Sequence, residues 1–197
     1  MKKNIDKKIF IPKTIELQEE LDKVNYFYKY VNVLKNIFYI LIIVSAISIL
    51  ISTFIFPVLK IHGQSMGKTI KEGDISISIK KNNYQPGDVI AFYYNNKILI
   101  KRVIATSSDW VNILDNGDVF VNNELLKEDY LKEKLLGESD ITYPYQVPED
   151  SYFVLGDNRN NSIDSRNSLI GTVKNEDIIG KVIFKIWPIK RVGFVYN

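Results

Sequence analysis

The chain has 197 residues, of which 46% are hydrophobic and 25% charged, with a formal net charge of +3. This composition is typical of a globular protein with room for one domain of ordinary size and a tail. No cysteine and only one histidine are present, which excludes a disulfide scaffold and thiolate metal sites and leaves almost no basis for a histidine-based one, so neither a metal nor another cofactor is expected. The mild charge, with no basic patch interleaved with aromatic residues, argues against a nucleic-acid partner.

The first strong feature along the chain is an apolar segment from Ile37 to Phe56, which has no charged residue in 20 positions. A helix of this length spans about 30 Å, the thickness of a bilayer core. The segment starts too far from the N-terminus for a cleaved signal peptide, and no A-x-A cleavage pattern follows it. The sequence therefore predicts an uncleaved signal-anchor helix over 36–57 with the lipid bilayer as partner, and a buried core helix is the alternative.

The charges on the two sides of this segment predict its orientation. Residues 1–35 contain eight lysines and five acids, whereas only Lys60 lies close to the segment on the other side. By the positive-inside rule, 1–35 is a cytoplasmic tail and 58–197 lies on the extracytoplasmic side of a single-pass cell-membrane protein. Within the tail, Thr14–Asn36 is expected to be helical, either as a solvated helix or resting partly on the inner leaflet.

The rest of the chain has mostly strand patterns. "DISISIK" (74–80) alternates in the period-2 manner of a strand with one buried face. Strands are also predicted at 88–94 and 97–105, joined by an Asn-Asn hairpin turn, on both sides of 115–118, and at 152–156 and 178–189. Outside the tail and anchor, only Glu128–Gly137 has a helical pattern. The predicted fold class is mainly β, an antiparallel β-sheet catalytic domain (58–197) tethered by one N-terminal transmembrane helix.

"IHGQSMGKTI" (61–70) places two glycines around Ser65, a pattern that favours a presented hydroxyl. If Ser65 is a nucleophile, it needs a base. His62 lies three residues before it in an extended or turning segment, so the two side chains are expected to point to opposite faces.

Lys101 is the other candidate base. Leu99, Lys101 and Val103 share one face of the strand "KILIKRVIA". An ordinary lysine is only about 0.4% neutral at pH 8, so it must be desolvated to accept a proton. The alternation leaves open whether this face is buried or exposed.

A third segment, "GDNRNNSIDSR" (156–166), is polar although it follows the apolar "YFVL". Such a loop can supply hydrogen bonds and ion pairs that position a site. The Ser-Met stretch, "QPGDVIAF" (85–92), "IKRVIA" (100–105) and this loop occur in the order found in bacterial type I signal peptidases, which the chain resembles through nearly all of 58–189. With a small domain that follows a single membrane anchor, the chain is similar to the Gram-positive members of this family.

The resemblance implies a membrane-anchored serine endopeptidase that removes signal peptides from exported preproteins. Ser65 would be the nucleophile and Lys101 the general base of a Ser/Lys dyad, and Ser162 would orient the Lys101 ammonium. The other supporting positions that the resemblance implies are Asp157, Arg159, Asp164 and Arg166. Walls of shallow pockets for small substrate residues would be Ile61, Met66, Ile70 and Ile100. No metal is implied.

The sequence departs from the family pattern at Lys68, where a proline is usual, and the turn behind Ser65 loses the fixed φ that proline would give. Gly63 supplies no hydroxyl as a second oxyanion donor. Two other classes are alternatives: a self-cleaving repressor-type Ser/Lys peptidase, and a non-enzymatic assembly chaperone for surface pilins that has lost the dyad. The expected partners are signal peptides, the bilayer and, as a further candidate, the secretion translocon, with the chain acting as a monomer.

Overall fold

The computed structural model describes residues 14–131 and 133–195, so the first thirteen residues of the predicted tail lie outside the described range. The chain divides into two units, Met1–Leu50 and Ile51–Asn197. The helix α1 spans Thr14–Phe54. It is the one helix among the described residues that is long and apolar enough to cross a membrane, with a mean hydropathy of 2.3 in its most apolar window. Within it, the Ser48 hydroxyl donates to the carbonyl oxygen of Val44 at 2.8 Å, which satisfies this polar group inside the helix.

The regular structure of the second unit is almost entirely β-strand. The strands are β1 (Val58–Lys60), β2 (Ile75–Ile79), β3 (Val89–Tyr94), β4 (Lys97–Ala105), β5 (Trp110–Ile113), β6 (Val119–Val121), β7 (Glu124–Leu125), β8 (Tyr145–Gln146), β9 (Ser151–Leu155), β10 (Val173–Lys174), β11 (Ile178–Trp187) and β12 (Gly193–Phe194). Single turns of 3₁₀ helix occur at Arg159–Asn161, Asn175–Asp177 and Ile189–Arg191. The mainly β fold predicted from the alternating segments is confirmed.

The strands form two antiparallel sheets. The larger has the order β1-β2-β11-β3-β4-β9-β10, with β12 also paired to β11, and the smaller has the order β7-β6-β5-β8. The β3–β4 hairpin turns at Asn95 and Asn96, whose φ angles of 45° and 60° are the left-handed values that a tight two-residue turn requires. This hairpin is central to the site because its register pairs Lys101 with Ile90.

Both faces of the larger sheet carry apolar clusters around β3 and β4. Along β3, Val89 and Ala91 contribute to one apolar cluster, whereas Ile90 and Phe92 contribute to another. The second cluster also contains Val103 of β4. Since alternate residues of both strands face apolar clusters, a side chain in the middle of β4 is shielded from water on either face.

The strand β2 buries the face that its composition would least suggest. Ser76 and Ser78 are fully buried, and the isoleucines between and beside them are only half-buried. The Ser78 hydroxyl donates to the carbonyl oxygen of Pro57 at 3.0 Å, which offsets part of the cost of its burial. The period-2 pattern therefore predicted the strand but not which face is inside.

The helix predicted over Glu128–Gly137 is wrong. The described residues 128–131 and 133–137 form turns and irregular backbone. Glu128 is buried and pairs with Arg159, and a Cβ added at Gly117 would collide with the backbone of Leu135. These tertiary contacts hold the segment flat against the domain and outweigh its local preference for helix.

Candidate active site

The backbone around Ser65 is a series of turns between β1 and β2. Gly67 takes a φ of +54°, and its amide donates to the Gln64 carbonyl at 3.1 Å. Asn158 holds the loop from the other side, since its amide donates to the Ser65 carbonyl at 2.9 Å and its side chain to the Gln64 carbonyl at 3.2 Å. These bonds fix the nucleophile candidate without engaging its own N–H, which has no acceptor among the described residues.

Lys101 lies on β4, with only 3% of its surface exposed. Its Nζ donates to the Ser162 hydroxyl at 2.9 Å, and that hydroxyl donates in turn to Oδ2 of Asp164 at 2.7 Å. The sequence pattern left open whether the strand face of Leu99, Lys101 and Val103 is buried or exposed. At Lys101 the side chain is buried. The predicted link between Lys101 and Ser162 is a direct hydrogen bond.

Burial lowers the pKa of Lys101 to about 8. The carboxylate of Asp164 opposes this effect by attracting the ammonium, and the guanidinium of Arg166 adds to it by repulsion. At pH 8 about half of such a group is neutral, roughly a hundred times the fraction of an ordinary lysine. The environment therefore supplies a base near neutral pH.

Ser65 and Lys101 line one groove of about 830 Å³. No hydrogen bond joins Ser65 Oγ to Lys101 Nζ in the part of the chain that the structure describes, as is common for catalytic pairs without substrate. His62 lines the same groove, and the expectation that it points away from Ser65 stays a prediction. Residues 62–65 form no strand, with bends at 63–64 and a turn at Ser65.

A buried ion pair connects β4 with the polar loop. Arg102 donates to both carboxylate oxygens of Asp157, at 2.9 and 2.8 Å, and both side chains are almost fully buried. Asp157 also accepts the Thr69 hydroxyl. Because Thr69 lies four residues after Ser65, this chain of contacts ties the nucleophile loop to the strand that carries Lys101.

Asp164 is the centre of a second buried cluster. Arg166 donates to both of its oxygens at 2.8 Å, and the Gly156 amide donates to Oδ2 at 2.9 Å. Burial by itself would raise the pKa of Asp164, but the Arg166 guanidinium and these hydrogen bonds hold the pKa below its usual value. Asp164 is therefore a carboxylate that fixes Ser162 in place. The resemblance implied Asp164 and Arg166 as supporting residues, and the structure joins them in an ion pair.

Sequence reasoning missed two residues of the cluster, Glu128 and Tyr130. Glu128 forms a fully buried ion pair with Arg159 and accepts the Tyr130 hydroxyl at 2.8 Å. The Tyr130 ring stacks on the Arg102 guanidinium at 4.0 Å, a favourable cation–π geometry. The one available signal was Arg159, which the resemblance placed in the site. A buried arginine requires an acid partner, but the sequence does not say where in the chain that partner lies.

The four residues predicted as pocket walls lie together in one apolar core cluster that also contains Leu59 and Val89. They are Ile61, Met66, Ile70 and Ile100. None of them lines the groove in this structure, although each lies within five residues of Ser65 or Lys101. The apolar residues that do line the groove are Leu99, Ile163, Leu169 and Ile170, together with the ring of Tyr94. The pocket assignment stays a prediction. No group of three potential metal ligands occurs among the described residues.

Comparisons with known proteins agree on one family. The family model described as "Signal peptidase, peptidase S26" matches residues 31–187, a range that contains the whole site. Signal peptidase I of Bacillus caldolyticus is 36% identical over 160 residues, which cover 73% of this chain and 86% of that protein. Signal peptidase I P of Bacillus subtilis subsp. natto is 33% identical over 156 residues, which cover 73% and 83%.

A chloroplast protein and a solved structure are also similar. Thylakoidal processing peptidase 1 of Arabidopsis thaliana is 32% identical over 164 residues, which cover 75% of this chain but 46% of that longer protein. A crystal structure of a signal peptidase I from Enterococcus faecalis V583 is 35% identical, and the match covers 53% of this chain and 98% of that chain with a TM-score of 0.44.

Proposed function

Since this chain belongs to the signal peptidase family, peptidase S26, we propose that it removes signal peptides from exported preproteins, with Ser65 as nucleophile and Lys101 as general base. The observation that carries this assignment is the buried Lys101, whose pKa burial lowers to about 8, in one groove with Ser65. A serine beside a desolvated lysine can be activated without histidine.

The reaction is an acyl transfer in two stages. Neutral Lys101 takes the proton of Ser65 Oγ, which forms a bond to the scissile carbonyl carbon and converts its oxygen to an oxyanion. When the oxyanion collapses, the peptide C–N bond breaks, and the Lys101 ammonium gives its proton to the leaving amine. Lys101 then deprotonates a water that attacks the ester, and the proton returns to Ser65 as the acid product leaves.

The oxyanion needs preorganised donors. The Ser65 backbone N–H is available because it has no acceptor among the described residues, while its carbonyl is held by Asn158. A fixed N–H of this kind stabilises charge that develops only during the reaction. Ser162 and Asp164 would hold the Lys101 amine at one position throughout.

The substrate specificity follows from apolar, narrow walls. Pockets formed by the four predicted wall residues would admit small side chains at the first and third positions before the cut and exclude larger ones sterically. All four lie in one apolar cluster next to Ser65 and Lys101 in the chain, and this proximity is what supports the proposal.

Anchoring places the reaction near a membrane. The lysine excess before Ile37 supports a cytoplasmic tail over 1–35, an anchor over 36–57 and an extracytoplasmic catalytic domain over 58–197. Signal peptides enter the bilayer, so tethering raises the local concentration of substrate. Action as a monomer close to the secretion translocon is part of the same proposal.

Cleavage of a synthetic signal peptide with an A-x-A site tests the proposal. The full-length protein in detergent micelles should cut after the second alanine, and Ser65→Ala and Lys101→Met should each lower kcat/KM at least about a thousandfold. Lys174→Met is the matched control, because Lys174 is an exposed lysine on β10. Full activity of either site variant would refute the dyad.

A further inference from the structure

One arm of the groove extends from Lys101 toward the tip of the β3–β4 hairpin and is lined mainly by apolar residues, with Lys97 at its outer end. We call it the apolar arm, and its residues are Tyr94, Leu99, Ile163, Leu169 and Ile170. Leu169 is 75% exposed and Ile163 60% exposed. Exposed apolar residues that line a concave groove continuous with a reactive centre favour a binding role.

The backbone that presents Leu169 is held firmly. The Leu169 amide donates to the Asn167 side chain at 3.0 Å, and its carbonyl accepts the Tyr94 hydroxyl at 2.8 Å. The neighbouring Ser168 donates from both its amide and its hydroxyl to Asp140, at 2.6 and 2.8 Å. The side chain of Leu169 is therefore exposed on a fixed backbone, which lowers the entropy cost of binding.

The length of the arm can be read along β4. Strands rise about 3.4 Å per residue, so Leu99 lies about 7 Å from Lys101. Tyr94 pairs with Lys97, about 14 Å from Lys101 by the same rise. An extended peptide whose scissile bond lies at Lys101 would reach the outer part of the arm about four residues from the cut.

The chemistry of the substrate identifies which side of the cut this is. A signal peptide has an apolar core of 7–15 residues before its cleavage site, whereas the mature sequence after the cut has no such requirement. Resting on the proposed function, we propose that the apolar arm binds the end of this apolar core, at the fourth and fifth residues before the cut. This contact is additional to the predicted pockets for small residues.

Two peptides that differ only at those positions test the proposal. One has Leu-Leu and the other Ser-Ser at the fourth and fifth residues before an otherwise identical A-x-A site. The full-length protein in detergent micelles should prefer the Leu-Leu peptide by about tenfold in kcat/KM. In Leu169→Ser this ratio should fall close to one, while Leu125→Ser, which alters an exposed leucine of the smaller sheet, should keep it.

If the wild-type protein cuts the Leu-Leu and Ser-Ser peptides with about the same kcat/KM, the proposed role of the apolar arm is refuted without any variant. A wild-type ratio that survives in a folded Leu169→Ser would overturn it equally. If Leu169→Ser does not fold, Ile163→Ser on the opposite part of the arm decides in the same way. In all these outcomes the enzyme still cuts, whereas failure of the proposed function would appear as no cleavage of either peptide or as full activity in Ser65→Ala.

Discussion

The titration of Lys101 should control the pH dependence of activity. With a pKa of about 8, the neutral fraction is about 9% at pH 7, one half at pH 8 and about 91% at pH 9. Because the neutral amine is the base, kcat/KM should rise about tenfold from pH 7 to pH 9 and then level off. The assay is cleavage of a fluorogenic A-x-A peptide at constant ionic strength, with substrate well below KM.

The same pKa predicts a stability difference. The pKa in the folded protein, about 8, lies below the ordinary value of 10.5, so between these two pH values the unfolded chain holds a proton that the folded chain has released. Below pH 8 the buried Lys101 ammonium therefore lowers the free energy of unfolding by the full amount. This cost disappears as the pH rises to 10.5. The gap corresponds to about 3 kcal/mol. Lys101→Met should be more stable than wild type by this amount at pH 7 and by much less at pH 10.5, in urea unfolding.

Three results would refute this reasoning. Loss of cleavage in His62→Ala with normal cleavage in Lys101→Met would assign the base to His62, which lines the same groove. A midpoint above pH 10 would mean that Lys101 is solvated. Equal stability of wild type and Lys101→Met at every pH would contradict the desolvation itself.

Four further outcomes are expected. Gly156→Ala should abolish cleavage, because its Cβ would fall on the Ser162 hydroxyl and the Ser65 carbonyl; normal kcat/KM would contradict this close approach. Glu128→Gln should lower the free energy of unfolding by about 3–5 kcal/mol, against less than about 1 kcal/mol for the exposed Glu176→Gln; equal losses in urea would show that the buried pair is not special. Protease added outside spheroplasts should digest 58–197 and spare 1–35, and the reverse would invert the topology. Leucine in place of alanine next to the cut should stop cleavage of the peptide, and equal rates would refute narrow pockets.

The strands and the hairpin at Asn95 could be predicted because their signals are local. Alternation gives a strand its period, and two adjacent asparagines tolerate the left-handed backbone of a tight turn. Alternation does not tell which face of a strand is buried, because this depends on which elements pack against each face. For this reason the sequence predicted β2 as a strand but not the burial of Ser76 and Ser78.

The candidate site divides in the same way. The sequence pattern made Ser65 and Lys101 candidates, and the resemblance supplied their roles together with Ser162 and Asp164. The contribution of Glu128 could not be predicted, because its partner Arg159 lies 31 positions away and the local pattern around Glu128 favours a helix. A buried ion pair between distant segments leaves no periodic pattern in the sequence. Here it outweighs the helical pattern that the sequence around Glu128 does have.

Burial is the main reason why Lys101 is easily deprotonated, and the charges around it limit the effect. The carboxylates of Asp164 and Asp157 attract the Lys101 ammonium and favour its protonated form. Both acids are paired with buried guanidinium groups, Asp157 with Arg102 and Asp164 with Arg166, and these stay protonated at any working pH. The Arg166 guanidinium also repels the Lys101 ammonium, which offsets part of the attraction to Asp164. Arg166 therefore does more than hold the polar loop in shape, because it helps the desolvated lysine to keep a pKa of about 8 beside two carboxylates.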